Sequence, residues 1–234
     1  EFLSRRVLPI AVDMRTLEHV TYTPAPDIIH EAAGHAPIIA NTDYADYLCA
    51  YGEVAKKAIQ SKHDSELYKI IKKMSDMKED PNVSKVELKK IEVELENKSS
   101  ESHWTSEANE LARMNWWTIE YGLIGDLNNP KIYGAGLLSS VSESLDCLDK
   151  KVKKIPISIE CIHQDYNITE PQPQLYVANN FKDLIKILDD YSKTMGFKIG
   201  GKDGVRKAIQ SENVTTALYD SGLQISGIIK NYIS

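Results

Sequence analysis

The residues best suited to chemistry lie in Pro26-Asp27-Ile28-Ile29-His30-Glu31-Ala32-Ala33-Gly34-His35. Two imidazoles five positions apart, with a carboxylate beside the first, form a candidate metal-binding pair. The small residues between them let other groups approach closely. The zinc-peptidase motif H-E-x-x-H places its second histidine at i+4; here it stands at i+5. On a regular α-helix, positions four apart are offset by about 40° and positions five apart by about 140°. His30 and His35 therefore converge only if His30 lies in the first turn or the helix is locally distorted. Glu31 also loses the automatic role of peptidase base. From these residues alone the competing reading is a histidine pair satisfied at the surface.

Two neutral imidazoles and one carboxylate on one face of a metal make the non-haem iron(II) arrangement, which leaves coordination positions open. The candidate third ligand is Glu120, set in Asn115-Trp116-Trp117-Thr118-Ile119-Glu120-Tyr121-Gly122-Leu123. A carboxylate among two Trp, Ile and Tyr is costly to bury unless it is paired or bound to metal. A helix glutamate facing solvent is the alternative.

These groups need elements to hold them. Asp27 is a candidate N-cap for a helix over residues 28–40, and Asn41-Thr42-Asp43 a break and second cap before a helical pattern over 44–59. Leu67, Ile70, Ile71 and Met74 form a helical stripe, Asp80-Pro81-Asn82 breaks it, and a second charged helix follows. This predicts a solvated helical-hairpin insertion at about 57–101. A long helix is expected over about 106–123 and a loop over 125–130, followed by the Gly-rich Tyr133-Gly134-Ala135-Gly136. The β-branched, alternating residues 157–162, with Pro156 at their start, predict a strand, as does 175–178. A helix is expected over 181–195, a turn over 199–204, and helix over the last forty residues, ending near 218–232. No apolar run approaches the length of a membrane-spanning helix.

The chain has 234 residues and a net charge of -6, so no general electrostatic case exists for nucleic acid or an anionic membrane. Three widely spaced cysteines, Cys49, Cys147 and Cys161, form neither a CxxC site nor a disulfide framework, and point to a reducing cytoplasm.

Four blocks together carry a resemblance. They are Tyr22-Thr23-Pro24-Ala25-Pro26-Asp27-Ile28-Ile29-His30-Glu31-Ala32-Ala33-Gly34-His35, Trp116-Trp117-Thr118-Ile119-Glu120-Tyr121-Gly122-Leu123, Tyr133-Gly134-Ala135-Gly136-Leu137-Leu138-Ser139-Ser140 and Gln172-Pro173-Gln174-Leu175-Tyr176-Val177. In kind and order they resemble the pterin-dependent aromatic amino acid hydroxylases. The resemblance implies a mainly α fold with short β-strands, a helical basket around a deep iron pocket. It implies one catalytic domain over 1–234, truncated at its N-terminus. The activity implied is O2-dependent ring hydroxylation of L-phenylalanine to tyrosine with Fe(II) and tetrahydrobiopterin or a related tetrahydropterin. Hydroxylation of tryptophan or tyrosine is the nearest alternative, and a catalytically incomplete iron-binding fragment another.

The resemblance also assigns roles. His30, His35 and Glu120 become the iron ligands. Glu31, with Ala112 and Asn115, faces the pterin. Arg15 meets the substrate carboxylate with Asp27 in support. Thr23, Pro26, Trp116, Gly136, Ser139 and Val177 line the amino-acid pocket, with apolar Val177 suited to phenylalanine. Three departures stand out: no aromatic pterin-stacking loop precedes the matched blocks, Asn115 replaces an aromatic residue, and the 57–101 segment lengthens a connection that is short in the family. Oligomeric state is left open.

Overall fold

The computed structural model describes residues 1–15, 26–79, 82–101, 104–167 and 171–233. It is mostly helical with short strands, as expected, and forms two compact units: Glu1–Lys57 with Glu110–Thr194, and Ala58–Asn109 with Met195–Ser234.

The first unit holds the histidines. Asp27 caps the helix as expected, its Oδ1 accepting from His30 N at 2.9 Å. The helix then changes pitch. Ile28–His30 is α, Glu31–His35 is a π turn closed by Ala36 N–H donating to Glu31 O, and Ala36–Ile39 is α again. Asn41 caps the next helix, Thr42–Ala55, which buries Tyr44, Tyr47, Leu48 and Tyr51. The helix expected over 106–123 is α only over Glu107–Asn115; it widens to a π turn over Trp116–Glu120, with Tyr121 N donating to Trp116 O at 2.8 Å, and stops. Thr118 Oγ1 donates to Met114 O at 2.6 Å and so accepts from Tyr47 O–H at 2.8 Å, tying this turn to the tyrosine-rich core.

Four strands follow: β1 Leu123–Asp126, β2 Asn129–Ile132, β3 Lys153–Pro156 and β4 Gln174–Ala178, in the order β2-β1-β4-β3. β1 and β2 are antiparallel, and β4 runs parallel to both β1 and β3. The residues expected to be a loop at 125–130 are thus a hairpin, with Gly125 (φ 103) paired to Pro130 and Asp126 to Asn129, turning at Leu127 and Asn128, whose N–H donates to Asp126 Oδ1 at 2.7 Å. The strand expected over 157–162 is displaced. β3 ends at Pro156 on the sheet edge, and Ile159–His163 forms a 3-10 turn. Proline lacks an N–H, so it is tolerated where that side of the strand faces away from the ladder; Ile157 N still donates to Val177 O at 2.9 Å. The β-branched character was real but belonged to a chain leaving the sheet. The strand expected at 175–178 and the helix Phe181–Ser192 are present.

In the second unit, Lys62–Glu79 and Lys85–Ser100 pack on each other, the latter started by a Ser84–Glu87 capping box. Buried Glu107 gathers Ile59 N, Gly196 N and Lys207 Nζ at 3.1, 2.7 and 2.8 Å. The turn expected at 199–204 is a break at Gly200 and Gly201, φ 55 and 53, between helices Gly196–Ile199 and Gly201–Ser211. The helical ending is overturned: β5 Val214–Leu218 and β6 Gln224–Ile228 form a hairpin whose turn uses Gly222 at φ 83. β-Branched Val214, Thr215 and Thr216 and the left-handed glycine outweighed the helical spacing. No helix among the described residues is long and apolar enough to cross a membrane.

One close approach sets the position of the first π turn. A methyl group at Gly34 would lie 2.6 Å from Ala135 O and 2.9 Å from Ala135 Cα. Both are parts of an adjacent element that cannot swing aside. Gly34→Ala is expected to lower the unfolding free energy by about 1–3 kcal/mol, seen as an earlier midpoint in urea. An unchanged midpoint would mean the two segments do not meet there.

Candidate metal centre

The π turn answers the spacing question. In a π turn the N–H of one residue meets the C=O five before it, so residues five apart stack as those four apart do in an α-helix. His30 Nε2 and His35 Nε2 accordingly lie 3.2 Å apart, both rings buried. The second π turn brings Glu120 to them: Oε2 is 3.4 Å from His30 Nε2, and Oε1 is 3.7 Å from His35 Nε2. One ligand atom from each of the three falls within 4.8 Å of the others.

A hydrogen-bond chain fixes His30. Ser139 Oγ gives its one proton to Ala135 O at 2.8 Å and therefore accepts from His30 Nδ1–H at 2.9 Å. That leaves the Nε2 lone pair of a neutral ring pointing at His35 and Glu120. Burial, with His35 alongside, pushes the His30 imidazole down to about 4. Burial also lowers His35, against the charge of Glu31. The Glu120 carboxyl moves the other way: burial and the nearby charge of Glu31 push it up to about 7, opposed by a hydrogen bond from Asn115. Neutral imidazoles and a reluctantly charged carboxylate with converging lone pairs are a donor set built for a cation.

Asp27 anchors the start of this helix. Its carboxylate takes Arg15 Nη2 at 2.7 Å on Oδ1, and Arg15 Nε and N, both at 2.8 Å, on Oδ2, besides His30 N. The guanidinium holds the Asp27 carboxyl well below the usual carboxylate range. Arg15 Nη1 also reaches Ser139 O at 3.2 Å, so the chain Arg15–Asp27–His30–Ser139 closes on itself. The Arg15 side chain is only 3% exposed.

Glu31 accepts from Ala11 N at 3.2 Å through Oε1, while its buried Oε2 has no partner among the described residues. Gly136 lies against Tyr121 and Glu120; a methyl group there would fall 2.9 Å from Tyr121 Cε2 and 3.1 Å from Glu120 O. Trp116 stacks on Tyr121 and on Tyr166, with centroids at 4.5 and 4.3 Å. Asn115 sits beside Glu120, whereas Ala112 is exposed on its helix. Pro26 is exposed next to Asp27, and Val177 is buried in β4 opposite Leu123 and Pro156. Thr23 lies outside the described residues. The sequence reading overlooked Tyr166, whose only signal was an aromatic in the loop after the 3-10 turn, and the tautomer-setting place of Ser139.

Comparison with known proteins gives the family. A family model described as biopterin-dependent aromatic amino acid hydroxylase matches residues 2–64 and 92–202. The chain belongs to this family. It is 30% identical to bovine phenylalanine-4-hydroxylase over 175 residues, 74% of this chain and 29% of that protein. To the Chromobacterium violaceum enzyme of the same name it is 28% identical over 186 residues, 79% of this chain and 48% of that protein. A crystal structure of the C. violaceum phenylalanine hydroxylase, with bound iron(III) and 7,8-dihydrobiopterin, aligns with a TM-score of 0.56 at 25% identity, covering 82% of this chain and 54% of that one. The chain thus spans about half or less of the length of these relatives. The family match leaves out residues 65–91, which take in most of the helix Lys62–Glu79 and the start of the helix Lys85–Ser100.

Ser139→Ala keeps the helix Ala135–Ser139 but strands the His30 Nδ1–H in a buried site. The expected cost is about 1–3 kcal/mol of stability. Imidazole 15N NMR should show His30 leaving its Nδ1–H tautomer; an unchanged tautomer would disprove the hydrogen-bond chain.

Proposed function

We propose that this chain is the catalytic part of an iron(II)- and tetrahydropterin-dependent monooxygenase that hydroxylates the ring of L-phenylalanine to tyrosine with O2. The observation that carries it is the convergence of His30, His35 and Glu120 from two π turns, in a chain of this family. The donor set suits iron(II): two imidazoles and one carboxylate, with His30 oriented by Ser139 and Glu120 by Asn115. Glu31 Oε2, buried without a partner, suits an N–H of a pterin, with Asn115 and Ala112 the other residues proposed for that group. When bound, iron(II) and a tetrahydropterin supply the open coordination positions and the electrons that dioxygen activation requires.

The protein's own part is positioning and exclusion of water. Three of the five Arg15 N–H donors are committed to Asp27 and Ser139 O, leaving two for the substrate carboxylate. Thr23, Pro26, Trp116, Gly136, Ser139 and Val177 are proposed to enclose the amino acid. The lack of a side chain at Gly136 keeps Tyr121 and the Glu120 backbone close to the pocket. The hairpin at about 57–101 is proposed to be an insertion, and the family match that omits 65–91 supports it.

The test is anaerobic loading with iron(II), then phenylalanine, tetrahydropterin and O2. Tyrosine should form, and a panel including tryptophan and tyrosine separates the related activities. If none of the three substrates is hydroxylated, the reading fails. Glu120→Ala should abolish tight iron(II) binding, and unchanged affinity would remove Glu120 from the ligand set.

The shifted groups set a pH dependence. At neutral pH both imidazoles are already neutral, because their values are lowered; the proton to be expelled sits on Glu120, raised to about 7. Iron(II) uptake should release about one proton per site well below pH 7 and almost none well above it. Affinity should therefore rise with pH through 7 and then level off. Calorimetric titration in buffers of different ionisation enthalpy measures this; proton release that does not vary with pH would refute the Glu120 assignment. Without metal, the raised Glu120 value stabilises the folded chain below its ordinary value of 4.5, and that contribution is lost as pH rises through about 7.

A further inference from the structure

The geometry points to Tyr166 as a positioning residue for the amino-acid pocket, acting through Trp116; this rests on the hydroxylase reading above. Tyr121 and Tyr166 each lie nearly parallel to the Trp116 indole, at 21° and 11°, and stack on it without stacking on each other. They take opposite faces. The chain's own tyrosines therefore fill both faces of the ring, and only its edge is left for a ligand. A ring bound beside Trp116 must meet that edge, in the edge-to-face geometry that aromatic pairs favour.

The two supports are unlike. Tyr121 follows from the π turn, being five residues after Trp116. Tyr166 arrives from a distant loop that three contacts pin to the Trp116 helix. Arg113 Nη2 pairs with Asp165 Oδ1 at 2.7 Å, Arg113 Nη1 donates to Ile162 O at 3.3 Å, and Trp117 Nε1 donates to Gln164 O at 2.8 Å. Tyr166 also sets its ring perpendicular to Trp117, at 88° and 6.4 Å. Every one of these anchors ends within four residues of Tyr166. These anchors hold that ring against the face of Trp116, and without it the indole has one free face and room to tilt.

Tyr166→Leu removes the stack, and Tyr166→Phe keeps it. In the iron-loaded protein, Tyr166→Leu should bind L-phenylalanine about three- to tenfold more weakly, raising KM while leaving kcat within about twofold, as expected when a binding wall is loosened. Tyr166→Phe should restore wild-type KM. Iron(II) affinity should be the same in all three proteins. The near-UV circular dichroism of the ring stack should fall in Tyr166→Leu, with Trp116→Phe as the reference for its loss. Asp165→Ala, at a residue 83% exposed and so harmless to folding, frees the loop and should raise KM in the same direction by a smaller factor. The inference is overturned if Tyr166→Leu binds phenylalanine as wild type does, or if its ring-stack signal is unchanged. Should Tyr166→Leu not fold, an unchanged KM in Asp165→Ala overturns it instead. If wild-type protein itself binds no aromatic amino acid while its stack signal is present, the hydroxylase reading is what has failed.

Discussion

The site depends on one backbone interaction used twice, the N–H to C=O bond across five residues. Ala36 N–H to Glu31 O and Tyr121 N–H to Trp116 O each widen a helix by one residue. Three pairs of side chains gain their contact from that widening: His30 with His35, Asn115 with Glu120, and Trp116 with Tyr121. Each pair is five apart. On an unbroken α-helix each would be offset by about 140°, and neither the imidazole pair, the amide on the carboxylate nor the first half of the aromatic stack would exist. π turns are rare and recur at functional sites, and here two of them face each other.

A widened helix is a poor structure by itself, so its surroundings must over-determine it. Asp27 fixes the entry to the first π turn with His30 N and Arg15, and Ser139 fixes the ring that emerges. Gly34 lets Ala135 press directly against the turn. The second turn is held from its core side by the Tyr47–Thr118–Met114 relay and by Trp117 on Gln164 O. The helix Ala135–Ser139 serves both turns, touching Gly34 through Ala135 and Glu120 through Gly136. A single short element thereby sets the distance between histidines and carboxylate.

Sequence alone disclosed the candidate ligands but not the device that unites them. The i+5 spacing was visible as an anomaly, and so was the apolar setting of Glu120. Nothing in residue types marks a π turn, because its cause is tertiary: close packing at Gly34 and core hydrogen bonds at Thr118. Caps and amphipathic helices were readable because Asp27, Asn41 and the stripe in Phe181–Ser192 act locally. Strand assignments fared worse. Pro156 ends a strand instead of starting one, since which edge lacks a neighbour is decided by the sheet order. The final hairpin departs from the helical expectation because the β-branched run and Gly222 outweigh the apolar spacing. Tyr166 was invisible for the same reason as the π turns, since its partner is fifty residues away.

The electrostatics explain why such a scaffold is needed. Two imidazole nitrogens stand 3.2 Å apart in a mostly buried space, with Glu120 Oε2 3.4 Å from His30 Nε2 and Glu120 Oε1 3.7 Å from His35 Nε2. Without a cation they gain little from that proximity, and burial, then the nearby charge of Glu31, raises the Glu120 carboxyl. A chain free to relax would turn one imidazole outward, toward water. It does not, because two of the three candidate ligands are held from behind, His30 by Ser139 and Glu120 by Asn115, while His35 Nδ1 has no partner among the described residues; the first turn is fixed as well by the Asp27–Arg15 pair, whose side chains are 5% and 3% exposed. That pair is expensive to desolvate and gives little net stability by itself. Its value lies in holding two neutral imidazoles and one carboxylate in register before any metal arrives, so that binding need not also order the ligands.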